Sequence, residues 1–225
     1  STATITTVLL KNGLRNVWVR SSRALDPASP RVAGRAFTMR FIPKREDLAT
    51  PESLSSPRST RGAVEDMPPG CIAVVDAMGT NDVGIFGDIL CARMRKREVA
   101  ALVTDGAMRD LAGVRNSGLP IWCNGIAAPP SVAGLTFVGW QEPVACGGVA
   151  VFPGDVMVAD GDGAVVIPAA FLDVVLTTAP DTEMVDSWVL SEVEAGRKLM
   201  GLYPPNEAAT AEYNAWRARK TPDKA

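Results

Sequence analysis

Between Cys71 and Cys123 five short runs alternate in character, and that alternation confines the chain to one broad class of fold. Cys71 to Ala77 is apolar and reads as a strand, Gly87 to Glu98 as a helix, and Val99 to Thr104 as a strand. Asp110 to Ser117 then reads as a short helix and Leu119 to Cys123 as a strand. Strand and helix in turn is the pattern of an α/β core. Further on, Val149 to Phe152, Val156 to Ala159 and Ala164 to Ile167 are brief β-branched runs. Pro153-Gly154-Asp155 and Asp160-Gly161-Asp162-Gly163 separate them. Turns that tight imply an antiparallel portion, so mixed sheets are expected.

The flanks are different. Ser1 to Gly13 reads as the frayed start of a helix, with hydroxyls ahead of Val8, Leu9 and Leu10 and Gly13 as its end. The missing start methionine suggests trimming. Pro43 to Arg61 is polar, rich in Pro and Ser and without periodicity, so it is expected to form a long loop or lid. Beyond Pro168 the pattern turns helical, with Glu183 to Gly196 as one helix and a break at Tyr203-Pro204-Pro205. A second helix should run from Asn206, as N-cap, to about Arg219. The expected organisation is a domain over 1-180 and a C-terminal helical extension over 181-225. Trp188, Leu190, Val193, Tyr213 and Trp216 would pack either on the parent domain or on a neighbouring subunit. There is no internal repeat.

Among 225 residues there is no histidine, which excludes Ser-His and Cys-His couples and the usual histidine-bearing zinc site. Any metal must be held largely by oxygen, and hard oxygen ligands favour magnesium or manganese. Cys71, Cys91, Cys123 and Cys146 lie far apart with no C-x-x-C pair, and read as buried free thiols. A formal charge of −2 gives no basic footprint for nucleic acid, and the run Arg93, Arg95, Lys96, Arg97 suits a solvated helix end. No stretch is long and apolar enough for a membrane span, and the start lacks a signal-peptide pattern, so a cytoplasmic protein is expected.

Two segments could carry chemistry. In Gly84-Ile85-Phe86-Gly87-Asp88-Ile89-Leu90 the glycines let the backbone approach a ligand, and the free amides of the first helical turn can hold a carboxylate or phosphate. The plainer alternative is that Asp88 only complements the helix dipole. In Thr104-Asp105-Gly106-Ala107-Met108-Arg109-Asp110 an arginine and a carboxylate sit at the carboxyl end of a strand, the edge where α/β sheets collect ligands. There the alternative is that Asp110 caps the next helix and Arg109 pairs with a surface carboxylate. A helix and a strand separate the two segments, so both can face one pocket suited to a small anion and an octahedral divalent cation.

Asp88, twenty intervening residues and Arg109-Asp110 resemble the Asp-x20-Arg-Asp signature of the family of 4-hydroxy-4-methyl-2-oxoglutarate aldolase and the regulator of ribonuclease activity A. GDIL, VTDGAMRD, LPIWCNG, CGGVAVFPGDVMVADGDGAVVIP and the initial STAT are similar to that family as well, over roughly residues 1 to 170. GLYPPNE at 201 to 207 resembles a long-tailed subgroup. The resemblance implies the swivelling β/β/α (RraA-like) fold, as a homotrimer or a dimer of trimers. It implies that Asp110 holds Mg2+ or Mn2+, partly through water, and that Arg109 contacts the substrate's oxygen atoms. Backbone amides of Gly87, Ile89 and Leu90 would receive a 2-oxo acid carboxylate, and Asp88 would order water around the metal. A carboxylate from a neighbouring subunit would support Arg109, with Glu183 the candidate and Glu192 next. Where the family commonly has glycine at the end of the first helix and within the next strand, this chain has Glu98 and Ala101.

The activity so implied is that of a metal-dependent lyase, an aldolase or an oxaloacetate decarboxylase, which breaks a carbon–carbon bond of a 2-oxo acid through a pyruvate enolate stabilised by the metal. Arg109 would help hold the developing negative charge. A Schiff base is disfavoured, because Lys11, Lys44, Lys96, Lys198, Lys220 and Lys224 lie mainly in polar or terminal segments. The competing expectations are a non-enzymatic regulator that binds a ribonuclease, and an aldolase or dehydratase of a 2-keto-3-deoxy sugar acid.

Overall fold

The structure is a computed structural model that describes residues 1–220. The chain divides into two compact units, Ser1–Asp173 and a second unit from Val174 onward. In chain order the first unit begins with α1 (Thr2–Lys11), β1 (Arg23–Ala24), β2 (Val32–Pro43), α2 (Thr60–Asp66) and β3 (Ile72–Asp76). Next come α3 (Asp88–Lys96), β4 (Ala101–Thr104), β5 (Ala107–Met108), α4 (Leu111–Asn116), β6 (Ile121–Cys123) and β7 (Gly125–Ile126). It continues with β8 (Leu135–Trp140), β9 (Val156–Asp160) and β10 (Gly163–Ile167), and α5 (Leu172–Glu194) and α6 (Glu207–Lys220) are the last elements of the described residues.

The fold is a mixed α/β arrangement, as the sequence led one to expect. Strands β2, β3, β4 and β6 run parallel, with α3 and α4 as the connections on either side of β4. Every residue of β3 and β4 is buried, as expected for central parallel strands covered on both faces. Alternation divides β3 between two cores. Ala73 and Val75 join the layer of Phe41, Met94 and Leu102, whereas Ile72 and Val74 join Trp122, Met157 and Val166.

The longest strand, β2, has no clear signal in sequence because glycine and arginine interrupt its apolar residues. It belongs to two pairings on one edge. Val32–Arg35 run antiparallel to β9, and Met39–Pro43 run antiparallel to β8 across a register shift at Arg40/Phe41. The hairpin expected from the tight turns is β9–β10, closed by the Asp160-to-Gly163 turn. Val149 to Phe152, in contrast, is not a strand: only Val151 bridges, to Val144. The Asp155 carboxylate accepts the Phe152 amide at 2.9 Å and draws the chain into a turn at that point.

Helix α1 is pinned rather than frayed. The Ser1 hydroxyl accepts the Thr4 amide at 3.1 Å, and both the amide and the hydroxyl of Thr2 donate to Asp160, at 2.8 and 2.6 Å. Of the expected Pro43–Arg61 loop, Pro43 ends β2 and Thr60 and Arg61 begin α2, and the residues between are irregular apart from a short 3-10 turn at Glu52–Ser55. All four cysteines are free and buried.

Helix α5 begins well before Glu183 and runs through Pro180, which removes one intrahelical bond, to the Leu176 carbonyl, without ending the helix. The aromatic residues of the second unit pack on one another. Trp188 and Tyr213 rings lie 5.7 Å apart and Tyr213 and Trp216 rings 6.0 Å apart, in a cluster that also holds Val189, Leu202 and Ala209. Among the described residues no helix is long and apolar enough to cross a membrane.

Candidate active site

The site lies where the connections after β3 and β4 meet. Helix α3 starts at Asp88 with Gly87 as N-cap, and no side chain caps it. Amides in the first turn of a helix have no intrahelical acceptor, so this end presents donors to whatever lies beyond it. One of them is engaged: the Asp88 carboxylate accepts the Ile89 amide at 2.8 Å. That bond fixes Asp88 against its own helix, while the Ile89 side chain stands out in solvent.

Arg109 and Asp110 enter from the other side, on the turn between β5 and α4. The Arg109 amide donates to the Phe86 carbonyl at 3.0 Å, which ties this turn to the approach of α3. Asp110 occupies the N-cap position of α4 but does not cap it: its backbone is left-handed (φ 56, ψ 47) and its side chain makes no cap hydrogen bond. Arg109 does not seek a distant carboxylate either, since its Nε donates to Asp110 Oδ2 at 3.1 Å. Both side chains keep about a third or more of their surface exposed (34% and 46%). A pair in that setting contributes at most about 1 kcal/mol, too little to explain a left-handed aspartate that itself costs about 1–2 kcal/mol.

Three glycines make room for these three side chains. A Cβ on Gly87 would strike Asp110 Oδ2. One on Gly113 would sit 2.6 Å from the Cβ and Oδ2 of Asp88, and one on Gly84 would sit 2.5 Å from Arg109 Cβ. Gly84 and Gly87 stand out in the sequence because they bracket the start of a helix. Gly113 does not. Its only signal is a glycine inside a helical run, a position where glycine costs about 1 kcal/mol against alanine and so asks for a packing reason.

These residues line an open cavity of about 280 Å³ that contains Gly87, Asp88, Ile89, Leu90, Arg109 and Asp110 together. Leu54, Thr60 and Arg61 from the 43–61 segment and its end, with Pro130 and Ser131, complete the wall. The sequence marked Pro43 to Arg61 as a loop or lid but gave no signal tying Leu54, Thr60 or Arg61, or Pro130 and Ser131, to this wall. Glu183 is not one of the lining residues; it belongs to the second unit, on α5. Glu192, on the same helix, pairs with Arg197 at 3.3 Å.

Two more carboxylates sit at the carboxyl ends of β3 and β4, but their oxygens are occupied by backbone. Asp105 accepts the amides of Ala77, Gly79 and Gly147 at 2.8, 3.0 and 3.0 Å. Asp76 accepts those of Met78 and Ala145, each at 3.0 Å. Burial still pushes the Asp105 carboxyl above the usual carboxylate range. Both clamp loops together. Among the described residues no group of three or more His, Cys, Asp or Glu is arranged to hold a metal ion.

A family model described as RraA-like, Aldolase/RraA, matches residues 2–166. Protein DlpA of Legionella pneumophila is 25% identical over 169 residues, which are 75% of this chain and 26% of DlpA. A Halalkalibacterium halodurans protein named "Putative 4-hydroxy-4-methyl-2-oxoglutarate aldolase" is 36% identical over 107 residues, 47% of this chain and 50% of that one. The matched segments thus span half or less of these curated relatives. Among solved structures, Streptomyces coelicolor RraAS2, described as an unusual member of the RNase ES inhibitor RraA protein family, has a TM-score of 0.75 at 35% identity. The match covers 84% of this chain and 90% of that one. An uncharacterised protein of Pseudomonas syringae shares the fold, with a TM-score of 0.77 at 23% identity over 90% of this chain and 92% of its own.

Proposed function

The chain belongs to the RraA-like family, which takes in a protein named as an aldolase and a relative of ribonuclease inhibitors, and from that premise we propose that it is a divalent-metal-dependent carbon–carbon lyase. Its substrate class is the 2-oxo acids, cleaved as 4-hydroxy-4-methyl-2-oxoglutarate or decarboxylated as oxaloacetate. The observation that carries this reading is the trio of glycines that leave space only for Asp88, Arg109 and Asp110 beside the uncapped start of α3.

The donor set suits magnesium or manganese. It consists of oxygen alone, and Asp110 holds its carboxylate away from the helix it precedes. One or two carboxylates completed by water and substrate oxygens is a common way for magnesium to be held, so the lack of a third protein ligand is no obstacle. Asp110 would hold the ion, with Asp88 acting on it through water. When bound, such an ion supplies Lewis-acid stabilisation of charge on the 2-oxo oxygen.

The chain's own groups do the rest. First-turn amides of α3, those of Gly87 and Leu90 with Ile89 shared with Asp88, receive the substrate carboxylate. Arg109 donates to the oxygens that gain negative charge as the bond breaks, and its Nε bond to Asp110 fixes the guanidinium plane for that role. Asp88, held by the Ile89 amide, orients a water that moves the proton. The assembly is a homotrimer or a dimer of trimers, and Glu183 is the carboxylate a neighbour would bring to Arg109.

The test is pyruvate release from oxaloacetate and from 4-hydroxy-4-methyl-2-oxoglutarate by metal-stripped protein, with and without magnesium or manganese. Restored turnover is expected. Arg109→Ala should lower kcat by about 10²–10³-fold, the usual effect of removing one charge-stabilising donor. A fully active Asp110→Ala would refute the metal assignment. The likeness to RraAS2 favours a second reading, a ribonuclease-binding regulator. Recovery of a ribonuclease in a pull-down, with no turnover under either metal, would replace the first reading by the second.

A further inference from the structure

The cavity at Arg109 is not closed at its outer end. A second cavity of about 320 Å³ lies beneath the 43–61 segment, and Leu54, Thr60 and Ser131 line both. These three residues therefore form the boundary the two compartments share, the neck between them. The far compartment is walled by Phe41, Leu135 and Phe137 from the sheet and by Leu48 and Leu54 from the segment above it. An aromatic path connects the two: Phe86 lines the Arg109 cavity, its ring centroid is 6.5 Å from that of Phe41, and Phe41 meets Phe137 edge-on at 5.3 Å.

The polar groups of the far compartment are mostly committed to local structure. Thr136 accepts the Arg45 amide at 2.8 Å, Ser53 donates to the Thr50 carbonyl at 2.6 Å, and Ser59 accepts the Gly62 amide as the cap of α2. The Arg58 guanidinium and the Ser131 hydroxyl have no such commitment, and neither has Thr60 at the neck, the most buried of the three. It is 4% exposed, yet its hydroxyl has no hydrogen-bond partner among the described residues. A nearly buried hydroxyl with no partner, on a residue that lines both cavities, calls for a polar ligand atom at that point.

We propose that the far compartment is a specificity subsite for an aryl or branched-alkyl arm on a 4-hydroxy-2-oxo acid, and that Thr60 hydrogen-bonds to the substrate's 4-hydroxyl at the neck. The proposal rests on the lyase reading above and names its substrate class. With an aryl arm the reaction is cleavage of the C3–C4 bond of 4-hydroxy-2-oxo-4-phenylbutanoate. The 4-hydroxyl gives up its proton and C4 becomes the aldehyde carbon of benzaldehyde. The C3–C4 electron pair stays on C3, which takes up a proton to give pyruvate. No oxidant or co-reactant is needed.

The experiment compares pyruvate release from this aryl substrate and from 4-hydroxy-4-methyl-2-oxoglutarate, alongside deuterium exchange into the methyl group of pyruvate, all with magnesium or manganese present. Exchange needs only the Arg109 cavity and reports on the lyase reading by itself. The expected result is exchange together with a kcat/KM at least tenfold higher for the aryl substrate. Val132→Trp, which fills the far compartment without lining the near one, should lower the aryl kcat/KM at least tenfold and leave exchange unchanged. Thr60→Val should lower it while Thr60→Ser retains it. Exchange without preference for the aryl substrate, or an aryl rate indifferent to Val132→Trp, overturns the subsite and spares the lyase. No exchange and no turnover removes both.

Discussion

Replacing Gly84 by alanine tests whether the space around Arg109 matters to function rather than to folding alone. The added Cβ would lie 2.5 Å from Arg109 Cβ, 2.9 Å from its amide nitrogen and 3.0 Å from the Ala127 carbonyl oxygen. Carbon atoms at rest stay about 3.5–4.0 Å apart, so Arg109 must retreat by about 1 Å. It has little freedom to do so gently. Its amide is bonded to the Phe86 carbonyl, and the adjoining Ile85–Ala107 and Ala127–Met108 bonds, both 2.9 Å, hold the strands around it. The clash is with backbone and Cβ, not with the flexible end of a side chain. A displacement of about 1 Å at a reacting group can cost about 100-fold, so kcat/KM for oxaloacetate should fall by that order. Overpacking should lower stability by about 1–3 kcal/mol, each kcal/mol lowering Tm by about 2–4 °C at this chain length. Gly161→Ala is the control, because its Cβ would meet nothing within 4 Å. Thermal unfolding and pyruvate release on both variants separate the effects. A Gly84→Ala protein with undiminished kcat/KM would refute the argument that this glycine exists to position Arg109.

Two further outcomes follow from backbone strain and burial. Glu98 sits just past the end of α3 with φ 59, where the Val99 amide reaches back to the Met94 carbonyl at 3.0 Å. A left-handed side chain there costs about 1–2 kcal/mol and glycine's extra chain entropy about 0.5–1 kcal/mol, so Glu98→Gly should stabilise by about 0.5–1 kcal/mol. Thermal unfolding should show a rise in Tm that Glu98→Ala does not give, with turnover unaltered. The buried thiols should resist reagents: burial pushes Cys71 up to about 11 and Cys91 up to about 12. Their folded values lie above the ordinary 9.0, so their contribution to stability is intact below pH 9 and is lost as pH rises through 11 to 12. At pH 8 a disulfide reagent should titrate all four thiols in urea and none of them quickly in the native protein.

How much of this was legible in the sequence depended on whether the signal was local. Strands β3, β4 and β6 and helices α3 and α4 declare themselves as uninterrupted apolar runs or helical periods between turn residues. Strand β2 does not, although it is the longest, because its faces change partners along its length and arginines at 35 and 40 fall within it. The near wall of the cavity was legible for a similar reason: Gly87-Asp88 and Arg109-Asp110 each mark a junction between a loop and a helix. The Thr60–Ser131 neck was not, since it joins the first residue of α2 to a turn 71 positions later, and nothing in either stretch announces the other.

The arrangement at α4 bears on the choice between enzyme and regulator. Gly113 inside that helix costs about 1 kcal/mol and left-handed Asp110 at its start about 1–2 kcal/mol, while the exposed Arg109–Asp110 pair returns at most about 1 kcal/mol. Taken as scaffold alone, the three features leave the helix less stable than an alanine and an ordinary N-cap would. Local strain of this kind collects where side chains must be held for a ligand. A surface that only binds another protein has no use for a carboxylate twisted off its helix, because such surfaces draw their affinity from well-packed aromatic and apolar anchors. The two readings therefore diverge at Arg109→Ala. A lyase loses turnover while any affinity for a ribonuclease persists, whereas a pure regulator has no turnover to lose.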